Sequence, residues 1–293
     1  MNRESMNRES MSTSTTANAI VSPRGGAGTS RKQGWSPRTE STLRIAAPII
    51  LGLIVLGLWQ LLVTVGGVSD YLLPSPASIV GELVEFWPAV VSATMLTGTN
   101  ALLGLLVGAL LGIVLSAIAA RWRIADQMSA PIIAALAVVP IVALAPVLNS
   151  MFGADSQFGR QAIAAIASFV PVFLNTLRGF RQTRPVHRDL MKAYAANSTQ
   201  MLRSLTLPTA RPFILTGIRI ASSLAVISAL VAEYFGGPRG GLGSLIATSA
   251  ASSAYARAWA YVGASIALGL LFYLATLALE RIALRRVPAG GSR

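Results

Sequence analysis

Residues 89–120 read AVVSATMLTGTNALLGLLVGALLGIVLSAIAA, 32 consecutive residues without one charge. Roughly 17–25 apolar residues carry a helix across a bilayer core, so this run is more than long enough to span one. Outward from it, Ile45–Val65, Gln161–Leu177 and Ala258–Leu279 are likewise uncharged. Any one of these could be a helix buried in a soluble protein. Four of them, in a chain with only 12% charged residues and a mean hydropathy of +0.61, exclude that reading. A soluble domain carries about a quarter of its residues charged.

Two further spans are less obvious. Met128–Met151 has no charge but holds Pro131, Pro140 and Pro146. Proline inside a spanning segment is tolerated where the freed backbone is protected by protein or lines a cavity. Pro212–Ala232 carries a single charge, Arg219, whose side chain is expected to snorkel to the near interface. Between the first two spans, Ser75 reads as an N-cap with Pro76 at the first helical position. Ile79, Val80, Leu83, Val84 and Trp87 then share a face opposite Glu82 and Glu85, the pattern of a helix lying in the interface. The expected fold is therefore an all-α polytopic membrane protein with about six transmembrane helices. The domain reading is a disordered, Ser-, Thr-, Arg- and Gly-rich tail over 1–44, a membrane domain over 45–282, and a short tail over 283–293. The tail opens on a repeated MNRES pentapeptide, read as a duplicated start site. It is no signal peptide, since its first apolar run begins only at Ile45.

Lysine and arginine set the orientation. The N-terminal segment carries Arg3, Arg8, Arg24, Arg31, Lys32, Arg38 and Arg44, and the next loop on that side carries Arg121 and Arg123. A loop over 178–211 holds Arg178, Arg181, Arg184, Arg188, Lys192, Arg203 and Arg211, and Arg281, Arg285, Arg286 and Arg293 close the chain. The opposite loops hold Arg160, Arg239 and Arg257 against Asp70, Glu82, Glu85, Asp155 and Glu233. Both termini are expected in the cytoplasm. The net charge of +13 is thereby explained by topology, and nucleic acid is not expected as a partner. With no cysteine and only His187, a disulfide framework and a thiolate or histidine metal site are excluded.

The 178–211 loop is unlike an ordinary charged linker. From Asp189 to Pro212 it reads DLMKAYAANSTQMLRSLTLPTARP. Met191, Ala195, Ser198, Leu202 and Leu205 fall on one helical face, with Lys192, Gln200 and Arg203 outside it. The Leu207-Pro208 step is expected to end that helix. This stretch resembles the cytoplasmic loop shared by permeases of ATP-binding-cassette importers. In that family, Glu-Ala-Ala and a glycine precede an apolar-x-Leu-Pro ending. Here the ending is Leu205-Thr206-Leu207-Pro208, Ala195 stands in the glycine position, and Asp189-Leu190-Met191 stands where Glu-Ala-Ala would be. LPSPASIV at 73–80, VPIVALAPVLNSMFG at 139–153, FVPVFLNTLRGF at 169–180 and AEYFGGPRGGLGSLI at 232–246 resemble the nitrate, sulfonate and taurine branch in order and spacing.

The resemblance implies a type I importer permease fold with a cytoplasmic coupling helix. It also implies a second permease copy, separate cassette ATPases that bind ATP and magnesium, and an extracytoplasmic substrate-binding protein. Asp189, Met191, Ala195, Ser198, Leu202, Leu205, Leu207 and Pro208 are the expected ATPase-coupling residues. No cofactor is expected on this chain, which lacks the G-x-x-x-x-G-K-[ST] phosphate loop; the Gly25–Lys32 stretch lacks its Gly-Lys pair.

Asn100, Asn149, Asn175 and Glu233 are candidates for the translocation path or its gate. For the asparagines, hydrogen bonding between spans is the competing role; for Glu233 it is a solvated helix end. Gly104, Gly108 and Gly112 form a small-residue stripe suited to close helix packing. Gly236, Gly237, Gly240, Gly241 and Gly243 suggest a flexible or tightly turned gate segment, and Trp87 and Trp259 interfacial anchors. Trp35 has no role assigned. A secondary transporter or a six-helix intramembrane enzyme is the alternative class. No catalytic pair falls within the spans, and neither paired acidic residues nor half-to-half symmetry stands out. The near absence of cationic residues from the spans favours a neutral or aromatic solute over an anion.

Overall fold

A computed structural model describes residues 37–69, 71–153, 156–236 and 240–285. The expectations for 1–36 and 286–293, Trp35 included, lie outside the described residues. By its contacts the chain divides into two units, Met1–Gly52 and Leu53–Arg293. In the first, helix α1 begins at Pro37, so residues 37–44, expected in the tail, are already helical. The second holds the rest of α1 to Val65 and all later elements.

These are α2 (Pro76–Glu85), α3 (Trp87–Arg121), α4 (Arg123–Val138), α5 (Ile141–Phe152), α6 (Phe158–Arg181), α7 (Pro185–Ala193) and α8 (Ser198–Met201). A π-helical turn over Leu202–Thr206 leads into α9 (Leu207–Phe235), followed by α10 (Leu242–Ala251) and α11 (Tyr255–Arg285). Five of these helices, or continuous stacks of them, are long and apolar enough to cross a membrane; the bent α4–α5 pair makes a sixth crossing if taken as one span. That matches the sequence expectation, with α11 running three residues past the expected boundary at 282.

Local chemistry explains the departures. Pro140 has no N–H, and Val139 before it is driven to an extended ψ of 123°. The expected Met128–Met151 span is therefore two helices bent by 94°. At the start of α2, Ser75 accepts from the Ser78 backbone N–H at 3.1 Å, with Pro76 in the first turn, as expected. Val80, Val84 and Trp87 remain exposed there. Arg257 at the start of α11 ties α2 down, donating to Glu82 at 2.8 Å and lying 3.5 Å over the Phe86 ring. Trp259 packs edge-on to Trp59.

The core is the α3–α6–α9 set. A Cβ on Gly104 would stand 2.4 Å from Ala164 Cβ, on Gly108 2.4 Å from Ala165 O, and on Gly112 3.0 Å from Val172. The advancing partners show that α3 and α6 run parallel, and the glycine stripe lets their backbones touch within one chain. Helix α9 runs antiparallel to both: Gly179 meets Ala210, and Gly217 meets Val172. Helix α11 closes the other side of α9. There Arg219 does not snorkel. It pairs with Glu280 at 3.0 Å, beside Thr216 Oγ1 donating to the same carboxylate and a Ser222–Thr276 hydroxyl contact. The antiparallel order puts the arginine-rich segments at one end of the bundle, called here the basic end. Large apolar side chains along α1 and α11, such as Leu53, Leu61, Leu271 and Leu274, face outward.

Candidate functional site: a buried polar latch and an exposed basic-end helix

At the end of the bundle opposite the basic loop, Glu233 in the last turns of α9 is fully buried, which overturns a solvated helix end. One carboxylate oxygen accepts from Thr97 Oγ1 at 2.7 Å and from the Gly243 backbone N–H at 3.2 Å. The other accepts from Asn100 Nδ2 at 3.3 Å. Thr97 Oγ1 in turn accepts from the Leu242 N–H at 2.9 Å. The N-cap position of α10 is Gly241, which has no side chain to cap it, so Thr97 and Glu233 satisfy the helix's first N–H groups from two other helices. A carboxylate at a helix N-terminus is also favoured by the helix dipole.

The glycines of this segment are there for close approach. A Cβ on Gly241 would lie 2.2 Å from Glu233 Cδ, and one on Gly243 2.2 Å from Leu230 O. The stretch expected to be a flexible or tightly turned gate is, at these positions, a tight joint. From Asn100 the network continues: its Nδ2 also donates to Gln157 Oε1 at 2.9 Å, its Oδ1 accepts from Gln161 Nε2 at 3.2 Å, and Arg160 Nη1 reaches Gln157 Oε1 at 2.7 Å. Arg160 is buried, and its Nε and Nη2 have no partner among the described residues.

Three of the four path-or-gate candidates thus gather at one end. Asn100 and Glu233 are directly bonded. Asn149 is buried nearby, donating to Ala232 O at 3.4 Å, and Gly159 and Gly236 make room for it. Asn175 lies apart, half-buried against Gly217 and bonded to Pro171 O of its own helix at 2.8 Å. Sequence reading missed Thr97, Gln157, Gln161 and helix α10, and it placed Arg160 in a loop. The available signals were Thr97 and Asn100 three apart on α3, and Gln157, Arg160 and Gln161 spaced to share one face at the start of α6.

At the basic end, the single helix expected over Asp189–Leu205 is two pieces. Helix α7 stops at Ala193. Ala195 takes φ +52°, its N–H donates to Lys192 O at 2.8 Å, and the Ala196 N–H reaches back to Met191 O at 3.0 Å. This is the Schellman termination, whose left-handed residue is usually glycine. Asn197 then caps the next helix, with a reciprocal Gln200 bond at 2.8 Å in each direction. Leu207-Pro208 does not end a helix, because proline is tolerated in a first turn and here heads α9. Met191, Ala195, Ser198, Leu202 and Leu205 therefore do not form one continuous helical stripe. The stripe presented there is Val186 and Leu190 on α7 with Tyr194 at its C-cap, at 73%, 53% and 77% exposure and four residues apart. Asp189 is exposed and pairs with Lys192 at 3.5 Å.

The geometry is that of a bundle of membrane-spanning helices with a short amphipathic helix, α7, exposed between two of them. Comparison with known proteins agrees. Residues 104–286 match the family model described as "Binding-protein-dependent transport system inner membrane component", and the chain belongs to that family of ABC transporter permeases. The riboflavin transport system permease protein RibX of Chloroflexus aurantiacus is 35% identical over 72% of this chain and 80% of its own length. The formylaminopyrimidine transport permease protein ThiX of Halalkalibacterium halodurans is 31% identical over 66% and 77%. The putative aliphatic sulfonates transport permease protein SsuC of Bacillus subtilis is 28% identical over 66% and 70%. A chain in a crystal structure of an amino acid ABC transporter with histidines shares the fold, with a TM-score of 0.57 at 14% identity over 68% of this chain and 96% of that one.

Proposed function

We propose that this permease carries a small solute inward and is driven by a separate cassette ATPase docked on the α7 segment. The observation that carries the reading is the Val186–Leu190–Tyr194 stripe. Two large apolar side chains on a nine-residue helix and a third at its C-cap stand exposed in the most basic loop of the chain. An apolar face held in water normally marks a protein contact. The Schellman termination at Ala195 and the Asn197 cap that follows tie α7 to the helical stack leading into α9, so a push on α7 reaches α9. Asp189, Met191 and Ala195 border that stripe. Ser198, Leu202, Leu205, Leu207 and Pro208 belong to the lever leading into α9. ATP and magnesium are bound by the ATPase, and this chain hydrolyses nothing.

In the same reading, two copies pack side by side in the inner membrane, with both termini cytoplasmic and a binding protein delivering solute at the end where α10 sits. The apolar flanks of α1 and α11 face lipid. The Glu233–Thr97–Asn100 latch holds α10 as the outer gate, Asn149 braces it, and Asn175 lies deeper along the path. Two relatives above 30% identity carry names of heteroaromatic solutes, so a heteroaromatic solute is the reading we favour.

Co-expression with the cassette ATPase tests the coupling. Leu190→Arg is expected to insert into the membrane normally and to lose the co-purifying ATPase, while Lys192→Gln keeps it. Retention of the ATPase by Leu190→Arg, or ATP hydrolysis by the isolated chain, contradicts the reading. A thermal-shift screen of the partner binding protein with riboflavin, formylaminopyrimidine and taurine separates the solute classes.

A further inference from the structure

A cavity of about 580 Å³ opens at the basic end between the last turn of α3, the end of α6, α7 and the α8 turn. Arg121, Arg188, Ser198 and Thr199 line it, above a floor of Ala117 and Phe180. No ion pair or side-chain hydrogen bond engages either arginine among the described residues, and neither hydroxyl has a partner there. Ser198 and Thr199 open the helical stack that continues into α9, so their backbone N–H groups point out of its positive end.

An exposed apolar face of α3 leads away from the cavity's Ala117 and Arg121. Leu106, Leu110, Val114, Ala117 and Arg121 recur at helical spacing on α3, and Leu106, Leu110 and Val114 are 57%, 63% and 46% exposed. Trp122, 58% exposed, stands beside Arg121 where the span ends, the level at which aromatic side chains anchor to headgroups.

We propose that this cavity binds the phosphate headgroup of an anionic phospholipid, with an acyl chain lying along Leu110 and Val114. Cationic pockets between spans on the basic side suit such headgroups, and two guanidiniums beside an exposed apolar helix face match both halves of the molecule. The chain's own terminal segments are poor occupants, since 1–36 and 286–293 carry an excess of arginine.

The test uses the transporter assembled with its ATPase, a Trp35→Phe background, and vesicles of phosphatidylglycerol or phosphatidylcholine brominated on the acyl chains. Fluorescence quenching that disappears in Trp122→Phe is the signal. The expected result is stronger quenching by the phosphatidylglycerol, with an apparent preference that falls about 30-fold in Arg121→Gln/Arg188→Gln and about fivefold in Arg121→Gln alone. Arg178→Gln/Arg203→Gln, which removes equal charge outside the cavity, should keep the preference. Equal quenching by both lipids, an unchanged preference in the Arg121→Gln variants, or displacement by excess inorganic phosphate would overturn the proposal. So would loss of the signal when the ATPase docks, because the cavity would then be an ATPase seat. Leu190→Arg leaves both cavity arginines in place and is read by co-purification, so the lipid preference and the coupling reading are tested by separate variants and separate readouts.

Discussion

Replacing Ala195 by glycine should stabilise the basic-end loop, and the sign of that effect is diagnostic. At φ +52° an L-residue is strained by about 1–2 kcal/mol, a penalty glycine does not have. Glycine is costlier to order from the unfolded chain by about 0.4–1 kcal/mol. The difference leaves a net gain of about 0.5–1 kcal/mol for Ala195→Gly. Hydrogen exchange read by mass spectrometry over Pro185–Gln200 should therefore slow about two- to fivefold. Ala195→Val should accelerate it, because a β-branched residue tolerates this conformation least. Ala195→Pro should do so further by losing both the φ and the N–H that bonds Lys192 O. If α7 instead continued unbroken to Leu205, the introduced glycine would sit in a helix interior and cost about 0.5–1 kcal/mol. Faster exchange in Ala195→Gly would thus refute the two-piece loop.

Further perturbations address the rest of the bundle. Gly241→Ala drives a methyl into the Glu233 carboxylate and should loosen α10 by about 1–3 kcal/mol, read as new thiol reactivity of a cysteine at the buried Ser244. Gly263→Ala, with nothing within 4 Å, should leave that reactivity unchanged. Glu280→Ala strands Arg219 and should cost about 2–3 kcal/mol in denaturant stability, while Arg219→Leu/Glu280→Leu recovers most of it; a double-variant loss equal to the sum of the two single-variant losses would show that the pair has no coupling. In intact cells, a cysteine at exposed Ser204 should be shielded from impermeant thiol reagents and one at exposed Ser252 should react, and the reverse pattern would invert the topology.

Legibility followed the physics of each signal. Spans announce themselves because a helix crossing the bilayer core is predominantly apolar over its whole length, so Ala89–Ala120 and Ala258–Leu279 could be read directly. Close packing along α3 was readable because Gly104, Gly108 and Gly112 repeat every fourth residue, but not that α6 is the helix packed there. Helix ends were less readable. Alanine at 195 looks helical in composition, and only the backbone shows it in a glycine's conformation; Leu207-Pro208 fits a stop and a start equally well. Glu233 could be singled out as a charge near a span end, but not its partners. Thr97, Gln157 and Gly243 come from three distant stretches, and their meeting depends on how α3, α6, α9 and α10 pack. Helix α10, ten residues long and flanked by glycine, is too short to register as a span. The basic-end loop stood out through family resemblance, whereas its exposed stripe was set one turn too late because unbroken periodicity was assumed across a loop that turns at Ala195.

Docking of a cassette ATPase on α7 is the claim on which the mechanism depends, and it can be tested without knowing the solute. A photo-crosslinking amino acid placed at Leu190, in membranes where the permease and its ATPase are co-expressed, should yield a covalent adduct with the ATPase subunit. The same probe at Ile266, 60% exposed on the flank of α11, should yield none. An ATPase that supports transport yet never crosslinks at Leu190, Val186 or Tyr194 would contradict the account.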